Sequence, residues 1–272
     1  MTGDGRPADV GLAGLVERAR VEPVPVIALT DEELAALDGG PGAPPVAPRP
    51  WLDRQVESSR ELVCQVALRG LAARGIVVPT GAVEDGGRSV VAMHQDLRAV
   101  LLMRHDALAL VAARRQGTDE SAHRVLFVHE DGAVLEEDVS PHGVHRLTVT
   151  SAAMAAERLA TFVDPAGAAD EQRQEPARPV SLAEIAAGDG LPRIDDVRYL
   201  TLVGRLTAPA SEGAAPPDAR RMTVYALPDR VVLAEPAVVG PGEAGLTLAV
   251  VGTAALRGRF AALLEVALAE GS

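Results

Sequence analysis

Leu147-Thr-Val-Thr-Ser-Ala-Ala-Met154 and Ala249-Val-Val-Gly-Thr-Ala-Ala-Leu256 say the same thing twice. Each is a β-branched run that ends on Ser or Thr and turns into an Ala-rich helical pattern, which reads as a strand running into a capped helix. The echo extends upstream. Asp96-Leu-Arg-Ala-Val-Leu-Leu-Met103 answers Asp196-Val-Arg-Tyr-Leu-Thr-Leu-Val203, Arg124-Val-Leu-Phe-Val128 answers Arg221-Met-Thr-Val-Tyr225, and Ala133-Val-Leu-Glu-Glu137 answers Val231-Val-Leu-Ala-Glu235. The offsets stay between 97 (221 − 124) and 102 (249 − 147) residues. One supersecondary unit used twice is the economical reading. The expected fold is α+β: two tandem related halves, each a mainly antiparallel β-sheet unit preceded and closed by helices, with a pseudo-twofold between residues 96–163 and 196–270.

Outward from the repeat, the chain divides into a partly ordered lead-in (1–25), a first half (26–163), a linker (164–179) and a second half (180–272). Thr30-Asp-Glu-Glu33 has the spacing of a capping box and predicts a helix start. Asp53 to Arg74 is the strongest helical pattern, with Val56, Val63, Val66, Ala67 and Leu71 on one face and Gly75 at its end. Strands are expected at Leu97–Met103, Ala107–Ala113, Val125–His129, Ala133–Glu137 and Val144–Thr150, with a tight hairpin at Asp131-Gly132. Residues 164–179, rich in Ala, Glu, Gln and Pro, read as linker, and Pro209–Asp218 as a loop.

Composition narrows the function classes. The 272 residues include only six aromatics, so the core is built from Ala, Val and Leu. All 26 basic residues are arginine, a sign of GC-rich coding rather than of guanidinium chemistry. A net charge of −12 opposes nonspecific attraction to nucleic acid or an anionic membrane. The single cysteine, Cys64, excludes an internal disulfide and sits where a buried thiol is expected. Met1–Pro7 lacks the basic, apolar start of a signal peptide, and no run approaches the roughly 18 apolar residues of a membrane span. A soluble cytoplasmic protein is expected.

The residues that could carry chemistry do not converge. His123, His129, His142 and His145 lie close in sequence to Glu130, Asp131, Glu136, Glu137 and Asp138 but show no metal-ligand spacing, so no metal and no cofactor is expected. Glu136 and Glu137 are neighbours and would face opposite sides of a strand. Gly240-Pro-Gly242-Glu-Ala-Gly245 matches a dinucleotide-binding glycine pattern but precedes a strand, which makes it a hairpin connection. There is no nucleophile elbow and no P-loop. These absences point to a protein that is not an enzyme.

The helix ending Val66-Ala-Leu-Arg-Gly-Leu-Ala-Ala-Arg-Gly75, followed by strands and a helix in a twinned, acidic, cysteine-poor chain, resembles the EspG family of type VII secretion chaperones. That resemblance implies a cytosolic chaperone that holds the apolar tip of a helical secretion substrate. The expected function is therefore a non-enzymatic cytoplasmic protein-binding module, chaperone or adaptor, whose partner is another protein rather than membrane or nucleic acid. Its expected contact residues are Arg114, Arg115, Asp119 and Glu120, in a loop from Arg114 to Ala122 with a counterpart at Pro209–Asp218. The alternative is a transcriptional regulator: a helix bearing Arg60, Arg69 and Arg74, then two short strands, gives a winged-helix order near residues 53–92.

Overall fold

The computed structural model describes residues 11–40, 46–83, 89–118, 121–207, 220–239 and 242–269. In chain order these form α1 (Gly11–Ala19), β1 (Val24–Thr30), α2 (Asp31–Leu37), α3 (Glu57–Ala73), β2 (Val77–Val83), β3 (Ser89–Met93), α4 (Gln95–His105), β4 (Ala109–Gln116) and β5 (Ser121–Val128). They continue with β6 (Ala133–Val139), β7 (Val144–Ser151), α5 (Ala152–Val163), β8 (Glu175–Ser181), α6 (Leu182–Ala186), β9 (Tyr199–Thr207), β10 (Arg221–Ala226), β11 (Val231–Val239), β12 (Glu243–Val251) and α7 (Thr253–Ala269). The fold is α+β, and its strand pairings are antiparallel. Two compact units emerge: Met1–Asp106 with Leu135–Thr150, and Ala107–Val134 with Ser151–Ser272.

In the first unit, β1 pairs with β7, Val24 opposite Val149 and Thr30 opposite Val144. Thr30 caps α2 as its spacing predicts: its hydroxyl accepts from the Glu33 amide while the Glu33 carboxylate accepts from the Thr30 amide. α3 packs on α2 through Cys64, which meets Ala35 and Leu52. The apolar face read from the sequence is rotated in the structure. Cys64, Ala67 and Leu71 are buried, whereas Val56 and Val66 are exposed.

The expected strand at Leu97–Met103 is instead the middle of α4. Leu97, Ala99, Val100, Leu101, Met103 and Arg104 are buried while Arg98 and Leu102 are exposed, and the intervals of three and four from Leu97 through Val100 and Leu101 to Arg104 are those of a helix. The element orders of the two halves therefore agree from β4 and β9 onward, not from Asp96 and Asp196. From there each half runs through four antiparallel strands into a closing helix, and each is preceded by a strand that ends in a capping box, Thr30 with Glu33 and Ser181 with Glu184.

In the second unit the strands lie in the order β5-β4-β9-β10-β11-β12-β8. One face of β4, β9, β10 and β11 packs under α5 and α7, with Val111, Val203, Val224 and Leu233 meeting Leu159, Phe260 and Leu264. The small side chains make this a close sheet-to-helix contact. Asp131-Gly132 forms the expected turn: Gly132 has φ +78° and the His129 amide donates to the Ala133 carbonyl. Residues 164–179 are not an unstructured linker. They hold a short 3-10 turn at Glu171–Arg173 and most of β8, whose Val180 side chain is buried and whose backbone pairs with β12.

Candidate functional site

β9 has an unusual polarity. Its sequence Tyr-Leu-Thr-Leu-Val-Gly-Arg-Leu-Thr offers leucines at 200, 202 and 206, and period-2 alternation would turn them to the core. The structure does the reverse. Thr201, Val203 and Arg205 are buried on the helix-covered side, while Leu202 and Leu206 are 52% and 51% exposed. Pairing with β4 and β10 fixes this register, and a one-residue slip would turn every side chain over.

The outward face continues onto both neighbours. Leu206 lies opposite Leu110, Gly204 opposite Ala112, and Leu202 opposite Arg114 on β4. On the other side Gly204 meets Arg221, Leu202 meets Thr223 and Leu200 meets Tyr225 of β10. A Cβ added at Gly204 would touch nothing within 4 Å, so the middle of this face is open. Towards β11 and β12 the same side of the sheet is closed by Ile185 and Leu191, which pack on Val232, Ala234 and Leu248. Among the described residues, what remains bare is an apolar floor of Ala112, Leu202 and Leu206 on β4 and β9, with the exposed Arg114 and Arg221 at its edge, while Tyr225 of β10 packs against the closed part. His123, opposite Arg114 on β5, has its pKa lowered by burial and by the Arg114 charge.

The four contact residues expected from sequence fare differently. Arg114, Arg115 and Gln116 belong to β4, and Ser121 and Ala122 to β5, so most of the expected loop is paired strand. Arg114 projects outward. Arg115, the next residue, points to the other face, where its guanidinium stacks 4.7 Å from the Phe162 ring and donates to the Phe162 carbonyl at 2.6 Å. With Arg124, which donates to the Arg158 carbonyl and lies 4.8 Å from the same ring, it satisfies the end of α5. Asp119, Glu120 and the counterpart Pro209–Asp218 lie outside the described residues. The signal that sequence reading missed is the leucine set on β9.

A second cluster lies in the first unit and is fully buried. His145 Nδ1 is 2.5 Å from Glu137 Oε1 and Nε2 is 2.7 Å from Asp31 Oδ1. Arg104 Nε donates to Glu137 Oε2 at 2.8 Å, and its Nη1 to Asp38 Oδ2 at 2.5 Å, an oxygen that Arg49 Nη2 approaches at 3.3 Å. Three carboxylates thus face three cationic groups when the imidazole carries both protons. Asp31 Oδ2 also accepts from the amides of Trp51 and Leu52, tying α2 to the segment before α3. His145 is no surface histidine. It shares the core-facing parity of Leu147 and Val149 on β7, both of them buried. Glu136 is buried as well as Glu137, so both faces of β6 are covered here.

Burial alone would depress the His145 pKa, but its hydrogen bonds to Asp31 and Glu137 and their charges outweigh it and raise the pKa above the usual 6.5. Glu137 is the mirror case. Burial would raise its pKa, and the bonds and charges of His145 and Arg104 hold it below 4.5. The His145 contribution is complete below pH 6.5 and disappears as pH rises through the folded pKa; the Glu137 contribution is complete above pH 4.5 and disappears as pH falls through its depressed value. Thermal unfolding followed by the single tryptophan, Trp51, should therefore occur at lower temperature at about pH 9 than at about pH 6, and His145→Gln should flatten that slope. With both ring nitrogens engaged and no exposure, His145 clamps α2 to β6. Among the described residues no group of three or more His, Cys, Asp or Glu is arranged to hold a metal ion, and no helix is long and apolar enough to cross a membrane.

No family model matches the chain, and no curated protein matches it in sequence. In structure it is similar to the type VII secretion system chaperone EspG5 of Mycobacterium tuberculosis, solved in complex with a PE25-PPE41 dimer, with a TM-score of 0.55 and 12% sequence identity. That likeness covers 88% of this chain and 95% of EspG5, and it is a likeness of fold.

Proposed function

We propose that this chain is a cytoplasmic protein-binding module, a chaperone or adaptor without catalytic activity, that holds an apolar surface of a helical partner on the outward face of β4, β9 and β10. The observation that carries this reading is β9 itself, which buries Thr201 and Arg205 while leaving Leu202 and Leu206 half exposed. A contiguous exposed apolar patch edged by charge is the usual mark of a protein-binding surface. The fold supports the same reading, since EspG5 is a chaperone solved with a protein dimer. The dimer bound by EspG5 supports a protein partner here, and Arg114 and Arg221 suit acidic groups flanking its apolar contact.

The winged-helix reading has one observation in its favour, the succession of α3 and the β2–β3 hairpin. Against it, Glu57 and Glu61 stand on the helix that would face phosphates.

The test is capture of the partner from native cells by the wild-type chain and by Leu202→Asp/Leu206→Asp. Two interface anchors removed together should cost at least about 2 kcal/mol, roughly a 30-fold loss of affinity. Because both side chains are half exposed, the melting temperature should change little. A folded double variant that retains the same helical partner would remove this face from consideration. Sequence-specific DNA binding that survives physiological salt would replace the function altogether.

A further inference from the structure

We propose that the outward face of α3 is a contact between two copies of this chain, packed antiparallel about a twofold axis near Gln65. At 100° per residue, Leu62, Val66, Arg69 and Ala73 fall on one side of the helix, opposite the buried Cys64, Ala67 and Leu71. Leu62 is 62% exposed and Val66 57% exposed. These adjacent apolar side chains form a ridge one turn apart, able to enter the groove of a second helix.

Charge selects the occupant. Glu57 and Glu61 lie in the N-terminal half of α3, Arg69 in its C-terminal half and Arg74 at its C-terminal cap. Arg74 is already paired with Glu33, and Arg60 is held by the backbone oxygens of Gln55 and Asp53. Glu61, which accepts from Gln65 Nε2 at 3.1 Å on the exposed surface, and Arg69 are each four residues from Gln65 (65 − 61 and 69 − 65). In an antiparallel twofold pair, Glu61 of one copy therefore faces Arg69 of the other, twice. A parallel pair would set Glu61 against Glu61 and Arg69 against Arg69. A helix that is acidic at one end and basic at the other is complementary to itself reversed, the condition for an isologous contact. It is a poor match to the uniformly negative backbone of nucleic acid.

The contact is small. Seventeen helical residues span roughly 25 Å, and one such helix pair buries less than the ~1,200–2,000 Å² of a stable interface. The dimer is accordingly weak, with a dissociation constant on the order of tens of micromolar. Sedimentation velocity of the full chain from about 2 to about 200 µM should show the mass rising from 28.2 kDa towards twice that value. Leu62→Asp, on an exposed position, should hold the mass at one chain throughout while circular dichroism stays unchanged. Glu61→Arg should weaken association about tenfold, and Glu61→Arg combined with Arg69→Glu should restore it. A wild-type chain that stays at 28.2 kDa over the whole range overturns the proposal. So does a dimer that survives Leu62→Asp, or a charge swap that fails to restore what Glu61→Arg removes.

Discussion

Arg104→Ala should lower the unfolding free energy by about 3–5 kcal/mol, the cost of stranding buried charge. The Arg104 side chain is 1% exposed, and it binds Glu137 and Asp38, carboxylates that are 0% and 4% exposed. Removing the guanidinium leaves three buried carboxylates, Asp31, Asp38 and Glu137, with, among the described residues, only His145 and Arg49 as cationic partners at hydrogen-bond distance. Urea denaturation read by Trp51 fluorescence measures the loss. A surface pair makes the contrast: Arg20, bonded to Glu17 with both side chains largely exposed, should cost less than ~1 kcal/mol when replaced by alanine. Glu137→Gln in the Arg104→Ala background should recover part of the loss, because it removes one stranded charge.

Gly143→Ala should be nearly as damaging, by about 2–4 kcal/mol from combined overpacking and left-handed backbone strain. Gly143 has φ +73°, and its carbonyl accepts from the Asp31 amide at 2.8 Å. A methyl group there would lie 2.7 Å from the Asp31 carboxylate and 2.7 Å from Trp51 Cβ. The turn before β7 can approach α2 this closely only without a side chain, and this approach is what lets His145 reach Asp31. The substitution should therefore also flatten the dependence of stability on pH that His145 produces. Comparing unfolding midpoints of wild type and variant at about pH 6 and about pH 9 checks both effects.

The elements legible in the sequence are those whose determinants are local. Thr30 and Glu33 announce α2, Asp131-Gly132 announces its hairpin, and Ser151 caps α5, because capping and tight turns are written within four residues. Arg221–Tyr225 and Val231–Glu235 are legible for a similar reason, each echoing a strand of the first half. α4 is not, since Leu97, Ala99, Leu101 and Met103 alternate as a strand would, and only the burial of Arg104 beside Val100 and Leu101 reveals the helical period. The inward turn of Arg115 is not legible, because nothing in Arg114-Arg115 says that the two side chains part company across a sheet.

The buried clamp was out of reach for another reason. Asp31 and His145 are 114 residues apart, and no spacing rule joins them to residues 104 and 137. One trace was available: His145 alternates with Leu147 and Val149, which places an imidazole on a core face. The apolar floor was hidden by the opposite ambiguity. In β9 the leucines look like the core set, and only pairing with β4 and β10 shows that Thr201, Val203 and Arg205 take the inside.

The leucine face of β9 is the surface a partner should touch. A photo-crosslinking side chain placed at Ala112, exposed on the floor beside Gly204, should capture the partner protein in living cells. The same group at Ala153, exposed on α5 across the sheet, should capture nothing. Crosslinks from position 153 with none from position 112 would contradict the account.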